Sequence, residues 1–228
     1  MEYYFDKNGT VIKQRETDIV NKSFMWMFVG LMCTGITSLL VASNSAIVSL
    51  LFSNSLAFFG LIIAELALVF FLSARIQKLS YGVALSLFLL YAFLNGIMLS
   101  VIFLIYTASS ISVTFFTTSV LFGVMAMYGI TTKRDLTSVG SLALMALIGV
   151  ILVSVVNLFL KSDTLSYVIS FVAIAIFIGL TAYDTQKIKR LADAGAPENM
   201  GVLGALTLYL DFINLFLNIL RLLGRRRD

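Results

Sequence analysis

Histidine is absent from this chain of 228 residues, and cysteine and proline each occur once, as Cys33 and Pro197. Without histidine no Ser–His–Asp triad, thiolate–imidazole pair or ordinary zinc site can be built, and a lone cysteine cannot close an internal disulfide. The single proline lies in a polar stretch, so proline-broken transport helices are excluded, while glycine-based unwinding stays open. Charge is scarce as well. Asp, Glu, Lys and Arg make up 12% of the residues and the net charge is +4. The basic residues sit in short clusters beside apolar runs, not in one patch suited to nucleic acid, so no nucleic-acid partner is expected.

What remains is apolar. Hydrophobic residues account for 60% of the chain and the mean hydropathy is +1.00, well outside the range of a water-soluble domain. Crossing a hydrocarbon core about 30 Å thick takes about 20 apolar residues at 1.5 Å each. Seven runs qualify, at 24–42, 56–74, 82–106, 112–130, 139–160, 164–183 and 204–223. The expected fold is therefore all-α, a seven-helix bundle solvated by the lipid bilayer. The connections are short, so neighbouring spans pack antiparallel and 24–228 forms a single transmembrane domain. Residues 1–23 carry four acidic and four basic side chains, unlike the basic start of a secretory signal. They are expected to stay as a cytoplasmic tail, and the small residues at 42–46 follow a run long enough to span instead of one that is cleaved.

Lysine and arginine set the orientation. With the N-terminus inside, eleven fall on the cytoplasmic side: four in the tail, then Arg75, Lys78, Lys133, Arg134, Lys187, Lys189 and Arg190. The connections on the other side hold only Lys161. This is the distribution of a multi-pass plasma-membrane protein, in a bacterium the inner membrane, with its N-terminus cytoplasmic. The seventh span departs from the rule, because parity places Arg221 and Arg225 to Arg227 outside. It is read as a true span, with a re-entrant segment as the alternative. Two cytoplasmic turns, Lys78-Leu79-Ser80-Tyr81-Gly82 and Asp135-Leu136-Thr137-Ser138-Val139-Gly140, share hydroxyl residues able to cap the helix that follows.

An ionisable side chain at mid-bilayer costs about 2.5–3.5 kcal/mol on insertion scales and so tends to face the bundle interior. Glu65 stands at the middle of the second span and Asp211 within the seventh. Thr207, Asp211, Asn214 and Asn218 are spaced by four, three and four residues, one face of a helix. That polar stripe belongs at the centre of the bundle, where it lines a path or bonds facing helices as glue. Arg75 and Asp184 close the second and sixth spans at the cytoplasmic level. Asp211 lies about 10 Å deeper, and Glu65 about 15 Å from Arg75 along one helix.

Gly179-Leu180-Thr181-Ala182-Tyr183-Asp184-Thr185-Gln186-Lys187, together with Leu208-Tyr209-Leu210-Asp211-Phe212-Ile213-Asn214 running on to Arg221, resembles the two signature segments of the bacterial branch of the Bax inhibitor motif family. Asn95-Gly96-Ile97-Met98-Leu99-Ser100 is similar to a third. The resemblance implies seven helices with the seventh central, and a pH-sensitive calcium leak. By position it makes Asp184 and Asp211 a paired-aspartate sensor and weak, transient calcium ligands, and Arg75 the arginine that latches the pair. Glu65, Thr207, Asn214, Asn218 and Asn95 are then the ion path. Calcium ions and protons are the implied permeant and controlling species, a membrane protease is a candidate partner, and neither a resident cofactor nor enzyme activity is expected.

The chemistry agrees with a proton-controlled cation path. Without histidine, a response near neutral pH falls to carboxylates, and two adjacent ones titrate as a unit. A proton-coupled transporter uses buried carboxylates equally well, and a non-conducting regulator of membrane partners is a third class. An intramembrane aspartyl protease is disfavoured, because Asp211 lacks the Gly-x-Gly-Asp turn and no Pro-Ala-Leu motif follows.

Overall fold

The computed structural model describes residues 12–227, and the first part of the tail expected at 1–23 lies outside the described residues. Eight α-helices follow one another: α1 (Ile12–Ala42), α2 (Ser45–Phe52), α3 (Ser55–Arg75), α4 (Tyr81–Ile105), α5 (Ala108–Thr131), α6 (Thr137–Leu160), α7 (Asp163–Asp193) and α8 (Met200–Leu223), with a 3-10 turn at Ile76–Lys78 between α3 and α4. Among the described residues, seven helices are long and apolar enough to cross a membrane, all but α2. The protein is thus an all-α polytopic membrane protein, and the expected seven spans are present. The seventh is α8.

Burial is inverted relative to a soluble protein. Along α6 only 6% of the apolar window is buried, and Leu142, Met145, Ile148, Leu152 and Leu158 are all exposed, as side chains in contact with lipid tails should be. In α8, by contrast, 72% of the window is buried. Lipid removes most of the hydrophobic drive between helices, so close backbone approach and hydrogen bonds do the joining.

The chain divides into two compact units. The first comprises the chain to Ile105, Leu191–Tyr209 and Arg227. Here α1 meets α4 at small residues: a Cβ on Gly96 would stand 2.8 Å from the Thr34 carbonyl oxygen. Thr34 Oγ1 donates to the Ala92 carbonyl at 2.8 Å and Ser38 Oγ to that of Gly96 at 2.8 Å. α7 stops at Gly195, whose φ of 69° is the left-handed C-terminal cap that glycine adopts without a Cβ penalty, and Pro197 follows. The start of α8 is pinned by Asn199, whose Nδ2 donates to the carbonyls of Ile76 and Leu79 at 2.5 and 3.2 Å. Lys22 pairs with Glu198 beside it.

These bonds place the start of α8 beside the start of α4. Beyond the end of α8, the Arg227 amide donates to the Ile105 carbonyl at 2.8 Å, where α4 ends. α8, with 24 residues, is long and apolar enough to cross a membrane.

The second unit comprises Tyr106–Arg190 and Leu210–Arg226. It carries the one β-bridge outside helices among the described residues, between Tyr106 and Arg226. α7 continues to Asp193, well past the expected end at 183. Its added turns are polar and serve a different purpose from crossing, because Gln186 and Arg190 bind the α5–α6 connection and Lys189 binds the end of α5.

Candidate functional site

Asp184 and Asp211 belong to the second unit. α7 is held there by two close approaches, each at a residue beside or near Asp184. A Cβ on Gly129 of α5 would come within 2.3 Å of the Ala182 carbonyl oxygen, and one on Gly140 of α6 would collide with the Tyr183 ring at 2.4 Å. Glycine at both positions lets two helices seat the segment that bears Asp184. On α8, Phe212 anchors the residue next to Asp211 by edge-to-face contacts with Phe115 and Phe122, ring centroids 5.4 and 5.6 Å apart.

Asp211 is 4% exposed, and its Oδ2 is buried with no hydrogen-bond partner among the described residues. Asp184 is half-buried. The Asp184 charge acts on Asp211, and Lys187, one turn along α7, acts on Asp184. Two aspartates distant in sequence are thus linked electrostatically.

The asparagines of the stripe bond along their own helix. Asn214 Nδ2 donates to the Leu210 carbonyl and Asn218 Nδ2 to that of Asn214, both at 2.8 Å and both within α8. Both asparagines are half-buried, as is Thr207 in the first unit. Each amide thus has one N–H bonded within its own helix.

Glu65, Asn95 and Arg75 lie in the first unit. Thr34 spends its hydroxyl proton on Ala92, so in the 2.7 Å bond between Thr34 and Tyr209 the tyrosine is the donor, and it shares that proton with Asn95 Oδ1 at 3.2 Å. The Glu65 carboxyl acts electrostatically on both Tyr91 and Tyr209, and its Oε1 is buried without a hydrogen-bond partner among the described residues. Tyr91 and Tyr209 themselves pack edge to face, 5.8 Å between centroids. Sequence reading found Glu65 and Asn95 but missed Thr34, Tyr91 and Tyr209. The signal was a hydroxyl recurring within apolar runs, which is too common to mark a network. Arg75 closes α3 in an exposed position. The two ion pairs among the described residues, Lys22–Glu198 and Arg190–Asp135, include neither Arg75 nor the aspartate pair.

A strap at the end of α7 completes the second unit. Gln186 Oε1 accepts from the Leu136 amide at 2.9 Å while its Nε2 donates to the Arg134 carbonyl at 2.8 Å, and Lys189 Nζ donates to the Ile130 carbonyl at 2.8 Å. Arg190 meets Asp135 at 2.7 Å. Hydrogen bonds from Thr137 and Arg190 hold the Asp135 carboxyl well below the usual carboxylate range. Its contribution is therefore complete above the ordinary carboxylate pKa and is lost only as pH falls through the depressed value. The strap is insensitive to pH in the neutral range.

A family model described as inhibitor of apoptosis-promoting Bax1 matches residues 16–228. Inner membrane protein YbhL of Escherichia coli K12 is 51% identical over 231 residues, covering 98% of this chain and 99% of that protein. A protein of Rickettsia prowazekii is 44% identical over 213 residues, 91% of this chain and 89% of its own length. One from Borreliella burgdorferi is 41% identical over 228 residues, 98% and 97% of the two chains. With seven candidate spans, and with the family model and these relatives matching nearly the whole chain, this protein belongs to the Bax inhibitor family of multi-pass membrane proteins.

Proposed function

We propose that the protein is a pH-sensitive cation leak whose permeant ion is calcium, gated by Asp184 and Asp211 acting as one titrating group. The observation that carries this reading is Asp211, almost fully buried with an oxygen unpartnered among the described residues and under the charge of Asp184. Such a group changes its net charge by gaining or losing a proton, and a carboxylate without a protein partner is free to meet a cation. Two carboxyls supply too few oxygens for the six to eight that calcium takes, which suits a brief stop on a path more than storage. The polar face of Asn214 and Asn218 continues the path along α8.

The test is passive flux from calcium-loaded liposomes containing the purified protein, across about pH 5 to 8, the interval in which a histidine would otherwise serve as the switch. The unaltered protein should pass calcium down its gradient with no nucleotide or second substrate, and its rate should depend on pH. Asp184→Asn and Asp211→Asn should each abolish most of that dependence, and the double variant should lose little more. Additive losses would refute a coupled sensor, and a flat trace from correctly folded protein would refute the leak.

A further inference from the structure

At the opposite end of α7 from Asp184, 21 residues and about 30 Å away along the axis, a cavity of about 470 Å³ opens among the end of α6, the start of α7 and the end of α8. Asn157, Lys161, Asp163, Ser166 and Arg221 contribute its polar lining. All belong to the second unit. On the orientation expected from the lysine and arginine count, this is the outward end of the molecule. There Lys161 is the only basic residue in any outer connection and Arg221 breaks the charge rule at the end of α8.

These two exceptions converge on one cavity. Lys161 adopts a left-handed backbone, φ 50°, a conformation that is costly for a side-chain-bearing residue and persists only where its surroundings enforce it. Asn157 does so. Its Nδ2 donates to the Ser162 carbonyl at 3.2 Å and to Ser166 Oγ at 2.8 Å, and its Oδ1 accepts from the Ser162 amide at 3.1 Å. Arg221 donates to Ser170 Oγ at 3.4 Å, a long bond, and neither it nor Lys161 joins either of the two ion pairs among the described residues. Asp163 shares the lining without pairing with either cation, so the site keeps a net positive charge.

We infer that this cavity binds a phosphate group, and that the rim identifies its bearer as an anionic phospholipid. Two unpaired cations with hydroxyl and amide donors between them fit a phosphate diester, and the volume leaves room for the glycerol beyond it. Leu158, Phe159 and Leu160, at the end of α6 beside Lys161, are 72%, 82% and 63% exposed and provide an apolar surface for the acyl chains.

The experiment is native mass spectrometry of the full chain released from nanodiscs containing equal phosphatidylglycerol and phosphatidylcholine. The unaltered protein should retain phosphatidylglycerol selectively. Arg221→Gln combined with Lys161→Asn, asparagine being a side chain that tolerates the left-handed backbone, should lower that retention about tenfold, as expected for two lost charge-assisted bonds. Arg225→Gln, outside the lining, should leave it unchanged, and Arg221→Lys should keep most of it. Equal retention of both lipids by the unaltered protein would overturn the proposal whether or not any variant folds. So would undiminished selectivity in a folded double variant. Inorganic phosphate separates the two sources of the same chemistry: if it displaces the lipid the ligand is the free anion, and if it does not the ligand is the headgroup.

Discussion

Asn214 and Asn218 show what a side-chain amide does inside a membrane when it has its own helix to bond. Each donates to the carbonyl one turn back, so replacing either by leucine leaves no partner unpaired on another helix and costs little folding energy. Asn214→Leu and Asn218→Leu should be recovered in near-normal yield while passing calcium several-fold more slowly than the unaltered protein. Loss of folded protein together with unchanged flux in what remains would return both residues to the glue role. Their spacing was legible in the sequence because period 3.6 is a local property. The bond from Tyr209 to Thr34 and Asn95 was not, since each hydroxyl and amide is unremarkable alone and only the approach of α1 to α4 makes them a set.

Helix existence was readable from length and hydropathy, but helix purpose beyond the apolar core was not. α2 is eight residues long, capped by Asn44 at the amides of Ala46 and Ile47, and too short to register as a run able to cross. The polar end of α7 reads as a loop until its bonds to the α5–α6 connection are seen. Close packing was equally hidden, because glycines look alike in a sequence. α5 holds two of them in opposite circumstances: a Cβ on Gly129 meets the Ala182 backbone at 2.3 Å, and one on Gly123 meets nothing within 4 Å. Gly129→Ala should therefore force α5 from α7 and destabilise by about 1–3 kcal/mol. Gly123→Ala should be neutral or stabilise by up to about 1 kcal/mol, the helix propensity gained. Thermal unfolding of both variants in detergent checks the pair, and equal midpoints would show that the α5–α7 approach is not tight.

For the whole molecule, the lysine and arginine count predicts an orientation that reporter fusions check. A reporter fused after Arg190 should be cytoplasmic and one at Ser109 external. Because the Thr107 amide donates to the Arg225 carbonyl at 3.1 Å, a C-terminal reporter should lie on the same side as Ser109, and finding the two on opposite sides would refute the full crossing of α8. That crossing also bears on synthesis. The residues of α8 are divided between the two units, and it is the most buried of the seven spans, yet it is the last of them to leave the ribosome. When six spans have been inserted neither unit is complete: Thr34 and Asn95 still await Tyr209, and Phe115 and Phe122 still await Phe212. The approaches of α1 to α4 and of α5 and α6 to α7 do not need α8, but both units are finished only when the final span arrives, so a stop codon before α8 should release a product in which Thr34, Asn95, Phe115 and Phe122 lack the partners they have in the fold.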